Sequence, residues 1–494
     1  MIMTLLDRSR AAVAVAMIAL LATAACSTNP ATGERNFTAF MSPEDEARVG
    51  AEEHPKIIEQ FGGVYDEGGI AAYVGELGGK MLRASESPGA SYTFTVLDSD
   101  VVNAFALPGG YVYISRGLIA LAENEAELAG VIGHEIGHVV ARHTAQRYSQ
   151  AMAANIGLSI IGIIGQVAGV PSQTNDLLSL GATAVLQGYS REQELEADLL
   201  GSRYLRRAGY DPDAMRSFFE KMAGNDALRA KLTGQPTGEE AYNFASSHPR
   251  TSDRIQQAID LSGSGAVPNP ALNRDRFLAE IDGMIFGDSP AQGIRRGRTF
   301  SHPELRLTFT VPPDYYISNH PDAVVSVHPN GSQIIFDADS GDHRDLRSYL
   351  TDKWGKNLRL TDVERINVNG FDAWTGRAKG RTRNGEREIR LIALRDDGVR
   401  IFRLAFIVPP DTFDAQQEAL QRTTYSFRRM TEAEIAGLKP LRIRTRTLSS
   451  GETVADLERR MAVDQYPEDW FRLINQEALQ DGAAPGERFK IVAD

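Results

Sequence analysis

His134-Glu135-Ile136-Gly137-His138 sets two imidazoles one helical turn apart with a carboxylate between them. Residues four apart lie on one face of a helix, so both rings can reach a single ion. Zinc suits neutral imidazole, and its catalytic sites keep one coordination position for water. Glu135 projects about 100° further around the helix, beside that water, where a general base is needed. His143 follows His134 by nine positions, on nearly the opposite face of a continuous helix, and reads as a surface or packing residue.

A catalytic zinc needs a third protein ligand. Ser190-Arg191-Glu192-Gln193-Glu194-Leu195-Glu196-Ala197-Asp198 offers candidates on a second helix, whose start is marked by a Ser190/Gln193 capping box. Glu194 and Asp198 share a face. One carboxylate can bind metal while the other accepts a hydrogen bond from a ligating ring. Glu192 and Glu196 read as a solvated face. Spacing alone does not choose among these carboxylates.

The elements that must position these groups are legible in outline. Asn124 and Glu127 read as a capping box that opens a helix over 124–148, and a second helix is predicted over 190–208. Tyr92 to Leu97 alternates as a strand, and Tyr111 to Ser115 follows the turn Pro108-Gly109-Gly110. An apolar Gly-rich stretch, Ile156 to Val170, separates the two metal-bearing helices and reads as a lid or buried hairpin. A Gly/Pro/Asn-rich stretch opens a linker over 263–294. Residues 295–432 read as an α+β domain, with strands at 305–311, 323–328, 333–337, 388–394 and 399–408 and helices near 343–354 and 411–421. Asn369-Gly370 predicts a type I′ hairpin. His302, His320, His328 and His343 are scattered and read as ordinary. Residues 440–494 form a separate small unit, and the fold class as a whole is α+β.

With 494 residues, 42% hydrophobic and 24% charged, the chain is globular and long enough for several cores. A net charge of -12 and the lack of a long basic run argue against nucleic acid as a partner. Arg8 and Arg10 precede an apolar run from Ala11 to Ala25, too short to span a bilayer, which reads as an export signal over 1–25. Cys26 is the single cysteine, so no disulfide forms within the chain. Thr23-Ala24-Ala25-Cys26 resembles a lipobox, which implies a bacterial lipoprotein anchored through Cys26, with residues 26–41 as a polar tether. Ser27 after the cysteine resembles the signal for sorting to the outer membrane.

Four blocks resemble the HtpX and BepA-like zinc metallopeptidases, the family that also contains the CAAX prenyl protease. They are Asn103 to Val112, Glu125 to His138, Ser190-Arg191 with Glu194 and Asp198, and Ser246-Ser247-His248-Pro249 with Arg254. The resemblance implies a mainly helical zincin-type (gluzincin) domain over 42–262 that carries one Zn2+. His134, His138 and Glu194 would be its ligands, Asp198 the carboxylate behind them, and Glu135 the base. It implies an exposed edge strand at Asn103, Ala104 and Phe105 to which an extended substrate adds. His248, with Arg254 behind it, is a candidate oxyanion donor. His248 as a removable fourth ligand, or as a structural turn, stays open. Thr447 to Leu457, Phe471 to Asn475 and Pro485 to Ile491 loosely resemble a LysM module, which would bind peptidoglycan glycans. The expected function is a periplasm-facing metalloendopeptidase of unfolded or misfolded envelope polypeptides. The competing expectation is a non-proteolytic assembly factor or peptidoglycan-associated protein.

Overall fold

The computed structural model describes residues 26–152, 188–234, 248, 252–263, 267–341, 345–382, 385–396, 399–480 and 482–494. The export signal, the Gly-rich stretch 156–170, Ser246, Ser247, Pro249 and His343 lie outside the described residues.

The segment expected to be a tether is folded. Strands β1 (Cys26–Thr28) and β2 (Arg35–Phe37) pair antiparallel. The Asn29 amide donates to Glu196 at 2.5 Å, Phe40 N–H donates to Ser149 Oγ at 3.2 Å, and Met41 is buried. Buried polar and apolar anchors of this kind hold a segment whose polarity alone suggested freedom.

Helix α1 (Pro43–Gln60) starts at a Ser42/Asp45 capping box, and α2 (Ile70–Arg83) follows it. A three-stranded sheet follows, of β3 (Thr93–Leu97), β4 (Ala104–Leu107) and β5 (Tyr111–Ser115), in the order β3-β5-β4. β4 is therefore a terminal strand, as expected. Both its faces are covered, however. Phe105 and Leu107 pack with Ile57, Phe61 and Tyr113, while Ala104 and Ala106 join the main core.

Helices α3 (Arg116–Leu121), α4 (Glu125–Val140), α5 (Arg191–Arg207), α6 (Ala214–Thr233) and α7 (Ser252–Gly263) follow. The Asn124 side chain accepts from Glu127 N–H at 2.9 Å, but the Glu127 carboxylate reaches back to Glu123 N–H at 2.8 Å, one residue before the cap. The Ser190/Gln193 box forms in full. α4 is shorter than its periodicity suggests, because Arg142 adopts φ 57 and the helix resumes only at 143. The metal-bearing helices α4 and α5 cross at small residues. A Cβ on Gly201 would lie 3.0 Å from His134 N, and one on Gly137 would lie 3.2 Å from Ala197 O.

The expected linker is also structured. Helix α8 (Arg274–Ile281) buries Phe277, Leu278 and Ile281 in the same core as α4 and α5, and β6 (Ile285–Phe286) joins a sheet. The α+β domain has its own core, built on Phe309, Phe336, Phe402 and Phe427. Its smaller sheet runs β17-β9-β8-β7, from β7 (Ile294–Arg296), β8 (Thr299–His302), β9 (Leu307–Thr310) and β17 (Arg428–Arg429). Its larger sheet runs β10-β11-β12-β16-β15-β14-β13 and is antiparallel throughout. Those strands are β10 (Tyr316–Asn319), β11 (Ala323–Val327), β12 (Gln333–Ser340), β13 (Thr361–Val368), β14 (Phe371–Thr382), β15 (Gly385–Arg395) and β16 (Arg400–Val408). Helix α9 (Phe413–Ser426) lends Phe413 and Leu420 to this core. Asn369 and Gly370 take φ 49 and 94 between paired Val368 and Phe371, the two positive angles of the predicted turn.

The C-terminal unit comprises β18 (Leu441–Thr447), α10 (Val454–Glu458), α11 (Pro467–Ile474), α12 (Gln476–Gln480) and β19 (Arg488–Ala493). It does not stand apart. β18 pairs with β6, and Ile443, Leu457, Phe471 and Phe489 belong to the same core as Leu118, Leu128 and Phe218. The junction is polar and buried. The Glu123 carboxylate accepts from Glu477 N–H and Ala478 N–H at 2.8 Å each, at the start of α12, where a negative charge is favoured. Lys490 Nζ donates to the carbonyls of Ala120 at 2.8 Å and Ala122 at 2.5 Å, at the end of α3. Lys221 Nζ lies 3.1 Å from Glu123 and also pairs with Glu127.

Two outcomes follow from these contacts. Gly201→Val should force α4 and α5 apart, lowering unfolding stability by about 1–3 kcal/mol in chemical denaturation. Deleting residues 441–494 should strip the cover from the core around α4 and leave Glu123 facing Lys221 without its partners on α12. The shortened chain should lose its near-ultraviolet dichroism and its cooperative transition, whereas an independent module would leave both intact.

Candidate metal centre

α4 and α5 bring four donors to one point. His134 Nε2 and His138 Nε2 are 3.0 Å apart, and Glu194 lies 3.6 Å from the first and 3.4 Å from the second. His248 Nδ1 approaches His134 Nε2 at 3.3 Å and Glu194 Oε1 at 3.0 Å. All four donors lie within 4.8 Å of one another and are buried. A regular tetrahedron with edges of about 3.3 Å has its centre about 2.0 Å from each corner, the distance at which zinc holds imidazole and carboxylate. The donor set therefore fits Zn2+ in kind and in spacing.

The groups behind the donors fix their orientation. His134 Nδ1 lies 2.8 Å from Asp198 Oδ1, so its proton goes to the carboxylate and its Nε2 lone pair faces the other donors. Arg254, expected behind the oxyanion, is turned to the carboxylates instead. Its guanidinium grips Asp198 through Nε at 2.6 Å and Nη2 at 2.8 Å, and Nη1 lies 2.6 Å from Glu194 Oε2. A planar fork matches two carboxylate oxygens at once, which explains the choice of arginine. Arg254 is thus a positioning residue.

Three further residues went unrecognised in the sequence. His143 is fully buried, and its Nδ1 lies 2.8 Å from His138 Nδ1. Its Nε2 is 3.1 Å from Glu196, which makes Glu196 a buried-side partner instead of the solvated residue its helix position suggested. Tyr189 stacks on His138 with ring centroids 3.8 Å apart, and its hydroxyl meets Thr144 Oγ1 at 3.1 Å. Nothing in the spacing of Tyr189 marks it. His143 carries a signal in its five-residue offset from His138, legible once the helix is known to break at Arg142. Glu192 is exposed, as expected.

Glu135 has no exposed surface, and among the described residues neither of its carboxylate oxygens has a hydrogen-bond partner. The nearest basic atom is His248 Nε2 at 3.4 Å. Burial pushes the Glu135 carboxyl above its ordinary range, as befits a proton acceptor that must later give the proton up. Burial works the same way on Glu194, but His248 and Arg254 outweigh it and hold that carboxyl well below the usual range. Burial holds His138 well below its ordinary value, keeping the imidazole neutral and its lone pair available. His248 is drawn upward, burial being overcome by Glu194 and Glu135. Asn103, Ala104 and Phe105 lie on or beside β4, and Asn103 N–H donates to Ser115 Oγ at 3.0 Å. Cys26 is in β1, at the start of the N-terminal hairpin.

Comparison with known proteins agrees with this geometry. Peptidase family M48 matches residues 71–261. The mitochondrial metalloendopeptidase OMA1 of Arabidopsis thaliana is 35% identical over 31% of this chain and 31% of its own. The β-barrel assembly-enhancing protease of Yersinia pestis is 32% identical over 42% of each chain. The OMA1 of Schizosaccharomyces pombe is 26% identical over 46% of this chain and 64% of its own. The chain thus spans less than half the length of the first two. Four converging donors, a poised carboxylate and the match to peptidase family M48 coincide in one segment, residues 71–261.

Proposed function

We propose that the whole chain is an envelope endopeptidase that hydrolyses peptide bonds of unfolded or misfolded polypeptides. The observation that carries this reading is the Glu135 carboxylate, buried beside four convergent donors with no hydrogen-bond partner among the described residues. A purely structural metal site has no use for such a group, whose desolvation costs stability. Bound zinc would polarise the scissile carbonyl and acidify a water molecule. Glu135 takes the proton from that water and delivers it to the leaving amine. Asp198 and Arg254 hold His134 and Glu194 in place throughout.

The terminal position of β4 supports substrate binding by strand addition, which reads main chain more than side chain and suits unfolded polypeptide. The lipobox-like residues before Cys26 support an anchored, periplasm-facing protein, and the Yersinia relative's name supports an envelope setting. Among the described residues no helix is long and apolar enough to cross a membrane. Residues 441–493 hold three helices where a LysM module has two, and it is the pairing of β18 with β19 around them that supports the LysM-type reading and, with it, a peptidoglycan contact. For His248 the reading we adopt is a displaceable fourth ligand, supported by its Nδ1 standing 3.0 Å and 3.3 Å from two other donors. Its displacement opens the position the substrate needs.

The full chain should bind about one zinc and cut an unfolded substrate such as casein. Glu135→Gln should keep the metal and lower kcat by about 10²–10⁴-fold. Cleavage by that variant at the wild-type rate would refute the mechanism. His248→Ala should retain zinc on three ligands and cleave at least as fast as wild type, by single-turnover kinetics. A fall in kcat at unchanged KM would instead make His248 an oxyanion donor.

A further inference from the structure

A chain of side chains runs from the metal centre to the N-terminal hairpin. His138 Nδ1 lies 2.8 Å from His143 Nδ1, His143 Nε2 lies 3.1 Å from Glu196 Oε2, and Glu196 Oε1 accepts from the Asn29 amide at 2.5 Å. His138, His143 and Asn29 are almost wholly buried. The direction of every bond is fixed by chemistry. An ionised carboxylate only accepts, so the proton of His143 sits on Nε2. His143 Nδ1 is then the acceptor for His138 Nδ1–H, and the His138 lone pair is left on Nε2, facing His134 and Glu194.

In an unbroken helix His143 would stand about 140° around from His138 and could not reach it. The left-handed backbone at Arg142, φ 57, ends the helix and swings His143 under the ligand. That conformation is unfavourable for a residue other than glycine. It is held by the Arg142 guanidinium, which donates to Glu46 at 2.9 Å and to Met41 O at 2.8 Å. Both anchors of the device, Asn29 and Met41, thus come from the segment just after Cys26.

We propose that Asn29, Glu196 and His143 form a relay that fixes the tautomer and orientation of His138, making the N-terminal hairpin a working part of the metal centre. The proposal rests on the zinc reading of the site given above. His143 is a positioning residue: it acts through His138 and touches no substrate.

The test is zinc affinity of the full chain, measured by competition with a chromophoric chelator, alongside thermal unfolding of the metal-free protein. His143→Leu strands the His138 proton and should weaken zinc binding about 10–100-fold. His143→Asn offers a carbonyl to His138 and an amide to Glu196, and should recover most of that loss. Asn29→Asp keeps the hairpin turn but sets a second carboxylate against Glu196, and should weaken zinc several-fold from outside the cluster. Combined with Glu196→Leu it should add little, since the link is already cut. Wild-type zinc affinity in His143→Leu, or equal loss in the Leu and Asn variants, would overturn the relay. Absence of zinc binding by the wild-type chain would instead overturn the metal site, so the two failures are told apart.

Discussion

Two helices approach here until backbone touches backbone, and the metal centre exists because of that approach. The imidazoles of His134 and His138 are short, and Glu194 must meet them from another element. With Gly133 and Gly137 on α4 facing Gly201 and Ala197 on α5, no side chain intervenes, and a Cβ at Gly201 would crowd His134 N. Glycine costs helix stability. Close packing of the crossing and the carboxylate–imidazole contacts it allows offset that cost. Arg254 then ties α7 to α5 through Asp198 and Glu194, and Asp198 in turn meets His134 of α4.

Charge is concentrated in the core around this crossing. Glu123, Glu127, Glu135, Glu194 and Asp198 are all buried, and Lys221, Arg254 and Lys490 are buried with them. Buried carboxylates are tolerable when cations and backbone donors satisfy them. Here the partners come from distant parts of the chain: Lys221 from α6, Arg254 from α7, and Lys490 with the start of α12 from the C-terminal unit. The helices around the metal centre are therefore stitched to residues 441–493 by interactions that would be costly to break singly. The α+β domain, whose buried polar side chains among the described residues are serines and threonines, is built on the ordinary plan.

Local features were legible in the sequence because local physics decides them. The two histidines four apart, the Ser190/Gln193 cap and the Asn369-Gly370 turn each depend on a handful of consecutive residues. The strands of the α+β domain followed their alternation. What escaped depends on contacts between residues far apart or on backbone geometry with no sequence mark. Arg142 looks like any helical arginine, yet its positive φ re-aims His143 and turns a residue read as bland into a partner of His138. Glu196 read as solvated because its cover, the hairpin at Asn29, comes from a segment read as a free tether. Arg254 was assigned to the oxyanion because family order gives its neighbourhood without its direction. The C-terminal unit was read as separate because its amphipathic pattern says that it buries a face, but not against what.

The insertion of Lys490 beneath the carbonyls of residues 120–122 has a bearing on synthesis. A growing chain delivers both histidines, Glu135 and Glu194 long before it delivers β19. Until then the floor of the hydrolytic half is open, and Glu123 lacks the helix start that neutralises it. The donor set is therefore translated before the residues that complete the core beneath it, and its final packing waits on the last strand.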